Sequence, residues 1–237
     1  MTYRYAIYYA PDDGPLRAAA DSWLGPGAAP DGPTRAAADG FGPAAGGWTR
    51  DEVDAITRDA RRYGFHATLK APFRLAPGHT LTELRERLGD FAGRRGPVVA
   101  PELRLACLAG FFALVTGRHE PALHALADDV VRDFDDLRAP ATDAEIARRR
   151  PERLDDQARA LLLTYGYPHV LDRFLFHLTL TDAVPMERRE HVQSVLTQHF
   201  AGVLGQDLVL SSLALFVEPD AGQPFQLVES YPFKGAQ

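Results

Sequence analysis

Two short stretches of the chain share one pattern, His66-Ala67-Thr68-Leu69 and His177-Leu178-Thr179-Leu180. Imidazole is the side chain that titrates nearest neutrality, so a pair can divide a proton transfer between a neutral acceptor and a protonated donor. A threonine hydroxyl two residues along offers a hydrogen-bond donor to a non-bridging phosphate oxygen. With 8 histidines in 237 residues, one His-x-Thr triplet could be chance, and a lone strand histidine is more often a satisfied structural group than a catalyst. Two such triplets in matching surroundings reverse that balance. His66, Thr68, His177 and Thr179 are the candidate catalytic residues, and the chemistry they suit is acid–base cleavage of a phosphoester.

The spacing matters because strand side chains alternate faces with period two. His66, Thr68 and Lys70 are then expected on one face, with Phe65, Ala67, Leu69 and Ala71 on the other. In the second stretch Arg173, His177, Thr179 and Thr181 share a face opposite Phe174, Phe176, Leu178 and Leu180. A pseudo-twofold relation between the stretches would set the two imidazoles across one cleft.

Three further residues are candidate substrate contacts, each with a plainer alternative. Lys70 shares the His66 face and could hold a phosphate oxygen, or be a solvated strand-end lysine. Arg149, in the run Arg148-Arg149-Arg150-Pro151, could close over an anion or only complement a helix terminus. Tyr167 could stack on a base or sugar, or pack the turn Tyr165-Gly166-Tyr167-Pro168.

The other histidines, His79, His119, His124, His169, His191 and His199, show no HExxH or other zinc-binding spacing, and the single Cys107 forms neither an internal disulfide nor a thiolate cluster. No metal and no cofactor is expected. A formal net charge of -6 argues against extended nucleic acid as partner, since polyanion binders usually need a basic surface. The expected partner is a small phosphorylated molecule held in a local pocket. A single cysteine, an N-terminus without a signal-peptide apolar run, and no 18-residue uncharged apolar stretch lead to the expectation of a cytoplasmic, non-membrane monomer.

The elements that must position these residues read as follows. Tyr3 to Tyr9 is an aromatic first strand, and the stretch from Gly25 to Gly47, nearly half Gly and Pro, is a long irregular excursion of the kind that can cover a site. Thr49-x-x-Glu52, Thr80-x-x-Glu83 and Thr142-x-x-Glu145 are capping-box signatures that open helices. Strands are expected at Phe65 to Phe73, Glu102 to Leu108, Phe111 to Thr116, Phe174 to Thr181, Leu208 to Val217 and Phe225 to Glu229, with helices over Leu123 to Leu137 and Met186 to Phe200. Each half thus reads strand, helix, strand, strand. This suggests an internal duplication within one bilobed domain spanning 1–237, with a helical insertion at 140–165.

The contexts Arg61-Arg62-Tyr63-Gly64-Phe65-His66-Ala67-Thr68-Leu69-Lys70-Ala71-Pro72-Phe73 and Phe176-His177-Leu178-Thr179-Leu180-Thr181 resemble the two-histidine (2H) phosphoesterase superfamily. The chain is most similar to the branch encoded near phosphonate-utilisation genes, domain of unknown function 1045. The resemblance extends to Trp23-Leu24-Gly25, Arg148 to Pro151, Tyr165 to Pro168 and Phe225 to Glu229. It implies an α+β fold of two pseudo-symmetric antiparallel-sheet lobes, with outer helices, lining a central cleft. It also implies metal-independent hydrolysis of a small cyclic phosphate or phosphodiester of nucleotide or phosphoribosyl type, with His66, Thr68, His177 and Thr179 as motif residues. One departure is Leu175, where the branch commonly carries a basic residue; Arg173, four residues ahead of His177, is the candidate substrate contact that could supply that phosphate interaction instead. Alternatives from other classes are an RNA end-processing enzyme like the 2'-5' RNA ligases, and a non-catalytic nucleotide-binding module.

Overall fold

The aromatic run near the N-terminus forms β1 (Arg4–Tyr9), whose alternation sorts the whole molecule. Tyr5, Ile7 and Tyr9 point into the main apolar core, while Ala6, Tyr8 and Ala10 join a smaller cluster with Ala214, Phe216 and Phe225 on the opposite face. The computed structural model describes residues 3–25 and 47–235. The Gly- and Pro-rich excursion therefore lies, from 26 to 46, outside the described residues.

After β1 come α1 (Pro15–Leu24), α2 (Arg50–Asp54), α3 (Arg58–Tyr63), β2 (Ala67–Phe73) and α4 (Leu81–Gly93). The short strand β3 (Val98–Ala100) precedes the hairpin β4 (Arg104–Leu108) and β5 (Phe111–Val115). Ala109 and Gly110 both have positive φ, 48° and 101°, the backbone a two-residue hairpin requires to follow the strands' twist. Next are α5 (Pro121–Asp133), α6 (Asp143–Arg148), α7 (Asp156–Tyr165), β6 (His177–Thr179) and α8 (Arg189–His199). The chain closes with β7 (Leu208–Leu210), β8 (Ser212–Glu218) and β9 (Gln226–Pro232).

Thr49 and Thr142 complete reciprocal capping boxes with Glu52 and Glu145. At Thr80 the hydroxyl accepts from the Glu83 backbone N–H, while the Glu83 carboxylate turns to His79 instead. The strand expected over Phe174 to Thr181 is shorter than its pattern suggests. Leu171–Arg173 is a 3-10 turn, Leu171 has φ 53°, and ladder pairing begins only at His177. The Leu208 to Val217 run is divided into β7 and β8 because they pair with different partners.

Among the described residues, seven strands form one antiparallel sheet in the order β4-β5-β6-β2-β1-β8-β9, and β3 pairs with β7 separately. Helix α5 packs on β2, α4 on β8 and β9, and α8 on β4. Trp23 of α1, fully buried, donates its indole N–H to the Leu180 carbonyl at 2.8 Å, tying that helix to the strand end that carries the second motif. Among the described residues no helix is long and apolar enough to cross a membrane. The molecule is α+β with an antiparallel sheet.

Candidate active site

Strands β2 and β6 meet in the middle of the sheet through the pair Ala67 and Leu178. Both side chains are buried in the main core, so their sequence neighbours project from the other face. Continued one residue each way, the antiparallel register sets His66 opposite Thr179 and Thr68 opposite His177. Cross-strand neighbours on one face have Cβ atoms about 4.5–5.5 Å apart. A local twofold between Ala67 and Leu178 thus gathers the four motif residues.

The two imidazoles are held alike. His66 Nδ1–H donates to the Gly64 carbonyl at 2.9 Å and His177 Nδ1–H to the Leu175 carbonyl at 2.8 Å, in each case two residues back along the chain. Since a carbonyl only accepts, Nδ1 carries the proton in both rings and the neutral ring keeps its lone pair on Nε2. Thr68 lies 3.2 Å from His66 Nε2. Tyr8 stacks on the His66 ring with centroids 3.8 Å apart and planes 19° from parallel, and Tyr63 closes from 6.3 Å. Burial beneath these rings is the main cause that pushes the His66 pKa down to about 4, and the nearby His177 adds to it against the opposing Gly64 hydrogen bond.

His66, Thr68 and Thr179 line a cavity of about 340 Å³ with Tyr8, Tyr63 and Phe111. His177 stands beside it, its ring 5.9 Å from that of Phe111. Charge is distributed unevenly around the cavity wall. Asp59 and Asp182 sit together, Asp182 accepting the backbone N–H groups of Asp59 and Ala60 in the first turn of α3. Arg4 and Arg149 belong to the side that the cavity shares with a neighbouring one.

Of the secondary candidates, Arg149 and Tyr167 line the cavity, with the guanidinium 4.8 Å over the phenol ring. Lys70 and Arg173 do not. The β1–β2 register slips at Leu69 and Lys70, so that Ile7 faces Lys70 while Tyr8 faces Thr68. This bulge inserts one residue, breaks the two-residue alternation and turns Lys70 onto the core face. There it is 3% exposed, and its ammonium donates to the Val131 carbonyl and Asp135 of the α5 segment. The expectation that Lys70 shares the His66 face is therefore corrected. Arg173 is likewise drawn away, to Asp155 at 2.7 Å and Gln157 at the start of α7.

Other residues reach the site without a sequence signal that marks them. Arg4 lines the cavity from β1, fixed by the fully buried Glu218, which Arg62 also grips at 2.6 Å. Burial alone would raise the Glu218 carboxyl, but the Arg4 hydrogen bond leads a set of contacts that hold it below the usual carboxylate range. His169 packs edge-on against Tyr167 at 5.5 Å, and burial, followed by Arg149 and His177, lowers its pKa. Among the described residues no three His, Cys, Asp or Glu side chains form a group that could hold a metal ion.

Residues 68–226 match the family described as "Protein of unknown function (DUF1045)". The chain is 37% identical over 238 residues to a protein of Janthinobacterium sp. (strain Marseille) named ribose 1,5-bisphosphate phosphokinase PhnN, covering 98% of this chain and 51% of that one. It is 34% identical over 236 residues to the protein of the same name from Laribacter hongkongensis (strain HLHK9), covering 94% and 50%. The chain thus spans about half the length of these relatives. Among solved structures, TT0787 of Thermus thermophilus aligns over 99% of this chain and 100% of its own, with 13% identity and a TM-score of 0.49. E. coli LigT complexed with 3'-AMP aligns over 98% and 99%, with 12% identity and a TM-score of 0.42.

Proposed function

The chain belongs to the DUF1045 family, and from that premise we propose that it is a two-histidine phosphodiesterase that hydrolyses a small cyclic phosphate of nucleotide or phosphoribosyl type. One observation carries the reading: two imidazoles on adjoining strands, each anchored through Nδ1–H to a carbonyl, each set across from the other motif's threonine. The name of the Janthinobacterium and Laribacter relatives mentions ribose 1,5-bisphosphate, which favours a phosphoribosyl substrate.

The division of labour follows from environment. His66, held neutral at pH 7 by burial, is the base: its Nε2 takes a proton from water as the water oxygen bonds to phosphorus. His177 takes the complementary role of acid: its Nε2–H goes to the ring oxygen as the P–O bond breaks, so a cyclic diester becomes a monoester and a hydroxyl. Thr68 and Thr179 donate to the non-bridging oxygens, where charge grows in the transition state.

The test is a screen of 2',3'-cyclic AMP and ribose cyclic phosphates with phosphorus NMR. The expected result is conversion of the cyclic resonance to a monoester, with His66→Ala and His177→Ala each lowering the rate by about 10²–10⁴-fold while the circular dichroism spectrum is kept. Full turnover in either variant sinks the proposal.

A further inference from the structure

The two-histidine cavity opens beside a second one of about 220 Å³, and the two share Arg4, Tyr63, Ala71, Pro72 and Arg149 as lining. Six arginines line this neighbour: Arg4, Arg62, Arg74, Arg138, Arg148 and Arg149. They come from β1, α3, the end of β2, the segment after α5, and α6 with its C-cap. Glu145 is the carboxylate in its lining.

The fold neutralises this charge only in part. Arg4 and Arg62 share the single carboxylate of Glu218. Arg74 is paired with Glu145; burial would raise that carboxyl, but the Arg74 and Thr142 hydrogen bonds outweigh it and pull the pKa down to about 2. Arg138 has Asp135, but that carboxylate also serves Lys70. Arg148 and Arg149 have no carboxylate partner among the described residues. Arg148 and Arg149 are exposed, so their charge is met by water or by an anion that enters the cavity.

Arg150, a non-glycine residue, adopts φ 50° and ψ 60° just ahead of Pro151. Helix α6 ends at Arg148 with Arg149 as its C-cap, and the chain turns at Arg150 immediately after these two cavity-lining residues.

Resting on the phosphodiesterase reading above, we infer that the arginine cavity is a second anion subsite that takes a terminal phosphomonoester of the same substrate molecule. The substrate would then carry two phosphoryl groups, one as the cyclic diester at the histidines and one as a dianion among the arginines. Guanidinium forks match phosphate oxygens in pairs, which suits a dianion better than a neutral sugar end. The wall common to both cavities includes Ala71 and Pro72, and neither side chain has a hydrogen-bonding group. Arg4, Arg149 and Tyr63 complete that shared wall, so a spacer joining the two phosphoryl groups meets hydrogen-bonding groups as well as apolar ones.

The test separates this subsite from turnover. Ribose 5-phosphate and ribose are titrated calorimetrically into the full chain and into Arg148→Gln and Arg74→Gln. Ribose 5-phosphate should bind and ribose should not, and each substitution should weaken the phosphate-dependent binding about tenfold or more. Arg148 pairs with no carboxylate among the described residues, so its variant should keep the wild-type melting temperature. Equal binding of the two sugars, or full affinity in both variants, overturns the inference even where 2',3'-cyclic AMP is hydrolysed. Phosphate-dependent binding lost in the variants, with no cyclic diester hydrolysed, leaves the subsite standing and removes the phosphodiesterase reading instead.

Discussion

The acid–base assignment makes a claim about pH that belongs to single residues. A base must be unprotonated to act, so kcat/KM should hold level on the acid side until the pH approaches the His66 value of about 4 and fall below it. The Tyr8 ring, 3.8 Å away, is part of the cover that keeps water off His66. Tyr8→Leu should therefore move the acid limb upward toward the ordinary imidazole value of 6.5, read as a pH–rate profile; an unmoved limb removes the burial argument. Stability follows the same group. Unfolded chains bind a proton at His66 below about 6.5, and the folded chain resists until about 4, so stability drops as pH falls through that window. In His66→Gln the urea midpoint should lose less than wild type between pH 7 and 4.5. For the hydroxyls, Thr68→Val and Thr179→Val should each cost about 10²-fold or more in kcat with little change in melting temperature.

Elements decide which residues reach the site, and β2 is the instructive case. Its bulge sends Thr68 to the cleft and Lys70 into the core. Lys70→Met should leave cyclic phosphate turnover at the wild-type level. It should also destabilise by about 1–3 kcal/mol, because Asp135 keeps Arg138 but loses its buried partner. A thermal melt and a rate measurement on one sample check both. Sequence periodicity is enough to pair His66 with Thr68 and His177 with Thr179, because within each pair the two residues are only two positions apart at a strand. It fails at Lys70 because a bulge is set by the partner strand, which local pattern does not contain. Arg173 escapes for a related reason: a 3-10 turn intervenes and Asp155 captures it. The arginine cavity is legible only at Arg149 and its neighbours. Arg4, Arg62, Arg74 and Arg138 lie far apart in sequence, and only tertiary folding brings them to one wall.

At the scale of the molecule, the two sequence halves are not the two halves of the sheet. The repeated order of strand, helix, strand, strand invites a division near residue 120, yet in the sheet β2 and β1 are followed by β8 and β9, while β4 and β5 are followed by β6. Each half of the sheet therefore takes strands from both sides of that division. A fragment of residues 1–117 would leave β1 without β8 and β2 without β6, exposing the edges of both strands and the apolar face that Leu178, Leu213 and Leu215 help to cover. Such a fragment should be unfolded, with a collapsed amide proton spectrum, and should regain structure only when mixed with the complementary 118–237 piece. The intact chain should unfold in urea as one transition, with Trp23 and Trp48 fluorescence and far-ultraviolet circular dichroism giving the same midpoint. A fragment that folds alone, or two separated transitions, would mean that the interleaved strands do not couple the halves. The twofold at Ala67 and Leu178 would then join independent lobes, and the geometry between His66 and His177 would depend on how those lobes dock.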